Sequence, residues 1–400
     1  MGSGVIFRGQ SLAGMHSVKI LSSKNDSRPH FPGLTIRGLR TTAVNVPMKR
    51  ALGTSARRMD IAPLVLIDLE TQEGVTGRAY VFCYLPAAAA GVESILRDAA
   101  AFVTGDRVSP VDLNAKLARH FRLLGVRGIV TMALAGLDAA CWDALAVAAG
   151  VPLVALLGGS TRPILAYNSN GMSIRDAGSG IRDPLSELAD EAEALLHEGN
   201  FTAIKLRLGY ATLDEDLAAL HAVRARVPRG TVLMADYNQA LTVAEALERG
   251  RALDAEGLAW IEEPVRHDDY AGNATLTREL ATPIQIGENF DTPNAMAEAL
   301  AAQACDYAMP DFARIGGVSG WLEAAALAQA AGMEMSSHLY PEFSAHLLAV
   351  TPTCHWLEYV DWAAPVLREP IEIRDGHAII PNRPGAGIEW NDAAVTRFRA

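Results

Sequence analysis

The second half of the chain alternates short apolar runs with helical stretches, starting after the segment at 158–163. Eight such runs occur, and most of them end in a polar or charged residue. They are Ile164–Asn168, Ala203–Leu208, Val232–Asp236, Trp260–Glu263, Ile284–Glu288, Tyr307–Pro310, Glu334–His338 and His355–Tyr359. Buried parallel strands with functional carboxyl ends have this pattern. It predicts a (β/α)8 barrel, or a close variant, whose active site lies where the strands end.

The first part of the chain has a different pattern, typical of a small α+β region. Two strand-like stretches, Thr35–Val46 and Leu64–Leu69, flank the segment Met48–Ile61, which is rich in turn-forming and charged residues. A third predicted strand, Gly77–Tyr84, precedes alanine-rich helical sequence from Ala88 to Ala149. The fold class predicted is therefore α/β, with a (β/α)8-type barrel and an α+β amino-terminal capping domain.

Four parts are expected along the chain. The first is a loose extension expected to be disordered, the second the capping domain, the third the barrel, and the fourth a carboxyl-terminal segment that returns to the capping domain. Their predicted bounds are 1–33, 34–160, 161–370 and 371–400.

Composition narrows the possible partners. Half of the 400 residues are hydrophobic and a fifth are charged, which is ordinary for a globular protein with a large core. The net charge is −11 without a basic patch, so nucleic acid is not an expected partner. No apolar run reaches about 18 residues, so no membrane span is expected. The four cysteines form no CxxC pair, which favours reduced thiols and a cytoplasmic protein.

Three acidic residues stand at or near the ends of three successive predicted strands: Asp236, Glu262 and Glu288. They are spaced 26 residues apart, about the length of one β/α unit, so their carboxylates are expected to converge on the barrel rim. Oxygen ligands without histidine or cysteine suit Mg2+, with Mn2+ as the alternative ion. Three unrelated surface acids are the other interpretation, which the matched placement at strand ends disfavours.

A candidate base follows on the next strands. Asp311 comes directly after the sixth predicted strand, and His338 ends the seventh. An aspartate can orient a neighbouring histidine and raise its basicity, which makes a general base. A single histidine at a strand end is more often structural, but Asp311 and the flanking Ser336 and Ser337 favour catalysis.

Glu358, on the eighth predicted strand, is a candidate electrophile. A carboxyl group there could stay protonated and donate a hydrogen bond to a developing oxyanion. The alternative is a buried or paired structural acid. On the second strand, Lys205 and Arg207 alternate and therefore point to the same side, either into the barrel interior or, as the alternative, to solvated positions near the rim. Two inward cations are costly unless they face anions, and a bound carboxylate with the metal ligands supplies those anions.

Several runs of the sequence resemble one family closely. They are MADYNQ at 234–239, WIEEP at 260–264, QIGEN at 285–289, AMPDFARIGGVSGW at 308–321, MSSHLYPEFSAHLLAVTPT at 335–353 and HWLEYV at 355–360, with LRTTAVNVP at 39–47, APLVLIDLE at 62–70 and AGLDAACWDALA at 135–146. The resemblance covers about residues 34–390. It is to the mandelate racemase/muconate lactonizing enzyme family of the enolase superfamily.

The resemblance implies a role for each matching position. Asp236, Glu262 and Glu288 would hold Mg2+, and His338 paired with Asp311 would be the base on one face of the substrate. The remaining roles are charge neutralisation of a small-molecule carboxylate substrate by Lys205, a hydrogen bond from Glu358 to the enolate oxygen, further substrate or metal contacts by Asn238 and Ser169, and an apolar pocket lined by Leu52, Met59 and Tyr84. The family also implies a homo-oligomer, either a dimer or an octamer.

Arg207 departs from the family pattern, in which a lysine acts as the base for the opposite face. Deprotonating an arginine near pH 7 costs roughly 7 kcal/mol, so Arg207 is a poor base and a good electrostatic clamp. Losing one base favours dehydration of an acid sugar, in which His338 removes the α-proton and then helps a β-hydroxyl leave as water. A racemase or epimerase of 2-hydroxy acids, a lactone cycloisomerase and a metal-binding barrel without turnover are the alternatives.

The substrate is less clearly indicated. The capping segment Met48–Ile61 carries four cations, which would suit a polyhydroxylated or diacid substrate if the segment closes over the site. These cations are Lys49, Arg50, Arg57 and Arg58. Against this, Leu52, Met59 and Tyr84 match family positions that line an apolar pocket, which would suit an aryl substrate. A longer loop at about 171–184 is a candidate second lid.

Overall fold

The computed structural model describes residues 33–54, 58–172, 174 and 183–400. The predicted extension at 1–33 lies outside the described residues apart from Gly33, and so does most of the predicted loop at 171–184. Arg57 of the capping segment is also outside them.

The amino-terminal part forms a three-stranded antiparallel sheet in the order β1-β2-β3. The strands are β1 Ile36–Gly53, β2 Arg58–Thr71 and β3 Thr76–Phe82. β1 and β2 are longer than the sequence predicted, since they still pair at Leu52 opposite Met59, beyond a register shift that begins at Pro47. In its described residues, the turn-rich segment Met48–Ile61 is therefore the distal part of a long β-hairpin.

Helices follow this sheet and complete the cap. They are α1 Pro86–Val103, α2 Pro110–His120, α3 Ile129–Ala149 and the short α4 Leu153–Leu156. α3 packs directly on β3 because Gly77 has no side chain: a Cβ there would lie 2.0 Å from the Ala140 carbonyl oxygen. α3 is long and apolar enough to cross a membrane, but 83% of its apolar window is buried inside the protein. It is the central helix of the cap.

Eight parallel strands and the helices between them form the second part. The strands are β4 Ile164–Asn168, β5 Ala203–Arg207, β6 Val232–Asp236, β7 Ile261–Glu262, β8 Ile284–Ile286, β9 Tyr307–Ala308, β10 Glu334–Met335 and β11 Leu357–Tyr359. The helices are α5 Pro184–His197, α6 Leu213–Arg226, α7 Val243–Leu253, α8 Tyr270–Glu279, α9 Pro293–Ala301, α10 Gly317–Ala331 and α11 Pro341–Ala349. Each strand lies within one of the eight predicted runs.

The strands close into a barrel. β4 to β10 are neighbours in chain order, and β11 pairs with β4. Backbone hydrogen bonds between β10 and the segment before β11 complete the circle, from Met335 N to Thr353 O at 2.9 Å and from Ser337 N to Trp356 O at 3.0 Å. The predicted fold class is confirmed, with one difference: β11 leads into a 3-10 turn, Ala364–Val366, instead of an eighth helix.

The carboxyl-terminal segment contacts both parts. Its strands β12 Glu372–Arg374 and β13 His377–Ile379 form a hairpin, and β13 pairs antiparallel with β4. The chain then reaches the cap, where Trp390 Nε1 donates to Asp68 Oδ1 at 3.0 Å and Ala386 N donates to Asp143 Oδ1 at 2.6 Å. It ends with helix α12, Asp392–Phe398.

A buried histidine of α11 makes the stability of the fold depend on pH. His346 is fully buried, and its Nδ1 accepts a hydrogen bond from Val154 N at 3.1 Å. Burial lowers the pKa of His346 to about 4, whereas the unfolded chain has a value near 6.5. Between these values only the unfolded state binds the proton, so this contribution to stability is complete above about pH 6.5 and is lost as the pH falls towards 4.

We therefore expect His346→Gln to flatten the acid side of the stability profile. Glutamine keeps an acceptor for Val154 N–H but does not titrate. The wild-type free energy of unfolding should fall relative to the variant by about 1.4 kcal/mol per pH unit between pH 6 and 4.5. Urea unfolding of both proteins across this range measures the difference, and parallel profiles would contradict the assignment.

Candidate active site

Three carboxylates meet at the carboxyl ends of β6, β7 and β8. Asp236 and Glu262 are register neighbours on β6 and β7, and oxygens of these two residues and of Glu288 all lie within 4.8 Å of one another. Glu288 reaches the cluster because Gly287 before it adopts φ +139°, where a Cβ would lie 2.8 Å from Met309 N. The structure thus brings together the three predicted metal ligands.

The three acids fit a divalent metal ion. Burial, together with repulsion from Asp236, Glu358 and Glu288, raises the pKa of Glu262 to about 8 against the attraction of Lys205. Such a cluster of hard oxygen donors is unfavourable without added positive charge. Mg2+ or Mn2+ has the ligand preference that matches it.

Lys205 is fully buried between the acids. Its Nζ contacts Glu262, lies 2.8 Å from Glu358 Oε1 and 3.3 Å from Asp236 Oδ2. Burial opposes its charge, but the three carboxylates outweigh burial and raise the pKa of Lys205 above its ordinary value. Lys205 is therefore a permanent cation at neutral pH.

Arg207 is directed at a predicted metal ligand. Its Nη1 contacts Asp236 Oδ2, and its Nη2 donates to Ser169 Oγ at 3.2 Å. Burial disfavours its charge, yet attraction by Asp236 and Glu358 raises the pKa of Arg207. The guanidinium is a fixed cation, and Ser169 is one of the groups that orient it.

His338 and Asp311 form a hydrogen-bonded pair on the far side of the cluster. His338 Nδ1 lies 2.7 Å from Asp311 Oδ2, and Asp311 Oδ1 accepts from the backbone N of Ala313 and Arg314 at 2.8 and 2.9 Å. These bonds set the aspartate in one orientation. His338 Nε2 faces the cluster, 3.2 Å from Glu288 Oε2.

The charge around His338 favours its protonated form. Burial alone would lower its pKa, but Glu288, Glu358 and Asp311 together raise the pKa of His338 to about 9. In this balance of charge the imidazole keeps its proton at neutral pH. Positive charge placed near Glu288 would weaken this effect.

Glu358 differs from the expected protonated donor. Burial raises its pKa, but Lys205, His338 and Arg207 outweigh burial and hold the pKa of Glu358 well below its usual range. Its Oε2 accepts a hydrogen bond from Leu339 N at 2.9 Å. Glu358 is therefore a carboxylate here, because three cations surround it, which the sequence could not reveal.

A second layer of polar residues supports the cluster. Asn238 follows β6 and donates to Asp236 from its backbone N at 2.8 Å and from Nδ2 at 3.1 Å. Asn289 Nδ2 donates to Glu263 Oε2 at 2.7 Å, and Arg314 Nη1 donates to Asn289 Oδ1 at 2.8 Å. Glu263, Asn289 and Arg314 were not among the predicted site residues. Their position in the sequence could have indicated them, since each lies one to three residues after a candidate acid of the site.

The predicted apolar lining is only partly apolar. The Tyr84 ring lies beneath the guanidinium of Arg314, 4.8 Å from its Cζ, so a cation joins this wall. Leu52 is buried in the main apolar core, and Met59, its partner across the hairpin, packs against that core.

The described cations of the capping segment are paired with acidic side chains of the protein. Arg50 binds Glu198 through both terminal nitrogens at 2.9 and 2.8 Å, and Lys49 binds the same carboxylate at 2.6 Å. Arg58 pairs with Asp60 at 3.1 Å on the surface. The described cations of this segment are therefore paired with acids of the chain, and the expectation of a polyhydroxylated or diacid substrate stays a prediction.

Three acids on consecutive strands of a barrel, a histidine–aspartate pair opposite them and an α+β cap define an enzyme of the enolase superfamily. Two family descriptions match the chain: "Mandelate racemase / muconate lactonizing enzyme, N-terminal domain" over residues 36–158, and "Enolase C-terminal domain-like" over residues 187–394. The chain belongs to the mandelate racemase/muconate lactonizing enzyme family.

Similar proteins span nearly the whole fold. An enolase from alpha proteobacterium bal199 with bound Mg has a TM-score of 0.88 and 43% identity, covering 92% of this chain and 100% of that one. An enolase from Bradyrhizobium complexed with magnesium and mandelic acid has a TM-score of 0.86 and 42% identity, covering 92% and 99%. The L-talarate/galactarate dehydratase of Salmonella typhimurium is 29% identical over 332 residues, 83% of this chain and 81% of the relative.

We expect Mg2+ to raise the unfolding temperature of the wild-type protein and to leave that of Glu262→Gln unchanged. An ion present at 100 times its Kd stabilises the folded state by about 2.7 kcal/mol, and removing one of three ligands should abolish most of that. Differential scanning calorimetry with and without Mg2+ measures the shift. Glu334→Gln, an exposed acid at the start of β10, is the matched control and should keep it. An equal shift in Glu262→Gln would mean that the ion binds elsewhere.

Proposed function

We propose that this protein is a Mg2+-dependent dehydratase that acts on an acid sugar, a 2-hydroxy carboxylate with a β-hydroxyl. The observation that carries the proposal is the contrast between His338 and Arg207. His338 is a titratable group held by Asp311, whereas Arg207 is a fixed cation bonded to Asp236 and Ser169. A site with one base favours elimination over racemisation, which needs a base on each face.

The proposed metal site consists of Asp236, Glu262 and Glu288. Bound there, Mg2+ would supply positive charge that stabilises the enediolate and offsets Glu288, the acid that keeps His338 protonated. Lys205 has no proton to take up at neutral pH, so its role is to neutralise the substrate carboxylate. Glu358, 2.8 Å from Lys205 Nζ, keeps that cation in place.

His338 moves the proton in both steps. In the first, Nε2 accepts the α-proton, the C–H bond breaks, and its electron pair enters the carboxylate as an enediolate. In the second, the bond from the β-carbon to its hydroxyl breaks, and the hydroxyl leaves as water with the proton from Nε2. The enol product then becomes a 2-keto-3-deoxy acid. Asp311 on Nδ1 keeps the tautomer that leaves Nε2 as the acceptor.

The named relatives support this class of reaction, since the Salmonella relative is an acid-sugar dehydratase. A racemase of aryl 2-hydroxy acids is the second candidate. It is favoured by the Bradyrhizobium relative complexed with mandelic acid.

We also propose a cytoplasmic homo-oligomer, a dimer or an octamer. Leucines of the loop between α2 and α3 support it, since Leu123 is fully exposed and Leu124 is 66% exposed. Burial of such side chains against a second copy would be favourable. Light scattering should give a multiple of the 42.6 kDa chain mass. Leu123→Asp should reduce the measured mass, whereas Leu185→Asp, in α5, should leave it unchanged. A monomeric wild type would refute the proposal.

We expect exchange of the α-proton with solvent for only one enantiomer of a 2-hydroxy acid, because only His338 is placed as a base. Proton NMR of each enantiomer in D2O with enzyme and Mg2+ measures this. His338→Asn should abolish exchange. Arg207→Lys, which supplies an amine that can titrate, should add slow exchange of the second enantiomer.

A screen of acid sugars with Mg2+, measuring the 2-keto-3-deoxy product, tests the substrate class. Comparable exchange from both enantiomers by the wild type, without keto product from any acid sugar, would favour the racemase.

A further inference from the structure

The backbone directly after His338 adopts an unusual conformation. Leu339 has φ 51° and Tyr340 has φ 50° and ψ 52°, so two consecutive residues with side chains are left-handed. This region is costly for residues other than glycine, and it persists only where the surroundings hold the chain firmly. The turn therefore depends on contacts that fix it.

Those contacts come from the cap. The Tyr340 hydroxyl accepts a hydrogen bond from Phe82 N of β3 at 2.9 Å, and its ring stacks on Tyr80 of the same strand, 5.2 Å between centroids. The Tyr80 hydroxyl donates to Glu342 Oε2 at 2.6 Å, in the first turn of α11. Strand β3 thus contacts both the left-handed turn, through Tyr340, and the first turn of α11, through Glu342.

The left-handed turn also orients a second site residue. It directs Leu339 N at Glu358 Oε2, at 2.9 Å. His338, directly before the turn, lies between Asp311 and Glu288. One backbone conformation therefore determines the position of both the proposed base, His338, and the carboxylate of Glu358 beside Lys205.

We propose that Tyr340 and Tyr80 are positioning residues for the reaction: through them, the cap holds the turn His338–Tyr340 in the geometry that proton transfer requires. The inference rests on the proposed role of His338 as the base. Among the described residues, neither tyrosine forms a hydrogen bond with any of the three proposed metal ligands. Replacing the tyrosines should therefore affect the proton-transfer step and not binding of the metal.

The test uses Tyr340→Phe and Tyr80→Phe in the full-length enzyme with Mg2+. Each change keeps the ring and removes one hydroxyl, so the fold should survive. We expect kcat for α-proton removal to fall about tenfold or more, since small displacements of a reacting group are costly, with KM and Mg2+ affinity changed by less than about twofold. The isotope effect with α-deuterated substrate should rise, because proton transfer becomes more rate-limiting.

The matched control is Trp142→Phe. It also removes one hydrogen bond between cap and barrel, from Trp142 Nε1 to Ser319 Oγ at 2.9 Å, but this bond joins α3 to α10 and involves neither the turn nor α11. It should lower the unfolding temperature as the tyrosine variants do and leave kcat and the isotope effect unchanged.

Equal loss of kcat in Trp142→Phe, or unchanged kcat and isotope effect in both tyrosine variants, would overturn the inference. Failure of the proposed role of His338 would look different, since His338→Asn would then exchange the α-proton as fast as the wild type.

Discussion

The balance of charge at one end of the barrel is the constraint on which the site depends. Six acidic side chains converge there: Asp236, Glu262, Glu263, Glu288, Asp311 and Glu358. Removing carboxylates from water is expensive unless cations compensate them. Lys205 and Arg207 are buried among these acids and supply part of that charge, and His338 supplies more when protonated. The remaining excess of negative charge is what makes the cluster suited to a divalent ion.

This balance of charge also explains why the two inward-pointing cations, Lys205 and Arg207, have different roles. Lys205 touches three acids from separate strands, so it acts as the electrostatic centre of the site. Arg207 has a planar group with several donors, and it spans from Asp236 to the serine hydroxyl of Ser169. A lysine in its place would lose one of these contacts but gain the ability to titrate. Compared with the family pattern, in which this position is a lysine, Arg207 therefore replaces a group that can transfer a proton with a rigid cation.

Features encoded locally could be predicted from the sequence, and features set by distant contacts could not. Short apolar runs between helical stretches predicted the eight strands. The acids at or near three successive run ends predicted the convergence of Asp236, Glu262 and Glu288, because parallel strands bring their ends together. The ionised state of Glu358 was missed because it depends on three cations from other strands. The pairing of Arg50 with Glu198 was missed for the same reason, since it joins residues 148 positions apart. The described distal part of the hairpin was not predicted as strand because it contains charged residues, which strands tolerate at exposed positions.

The return of the chain to the cap has a consequence for how the protein is made. Asp68 and Asp143 of the cap receive hydrogen bonds from Trp390 and Ala386, which lie beyond the last barrel strand. During synthesis on the ribosome, the cap emerges first but cannot complete these bonds until the whole barrel has been translated. Asp143 Oδ2 can accept from Arg78 N within the cap, but Asp143 Oδ1 would lack the Ala386 donor throughout that time. A chain that stops before Gly385 should therefore have a cap whose hydrogen bonds are incomplete.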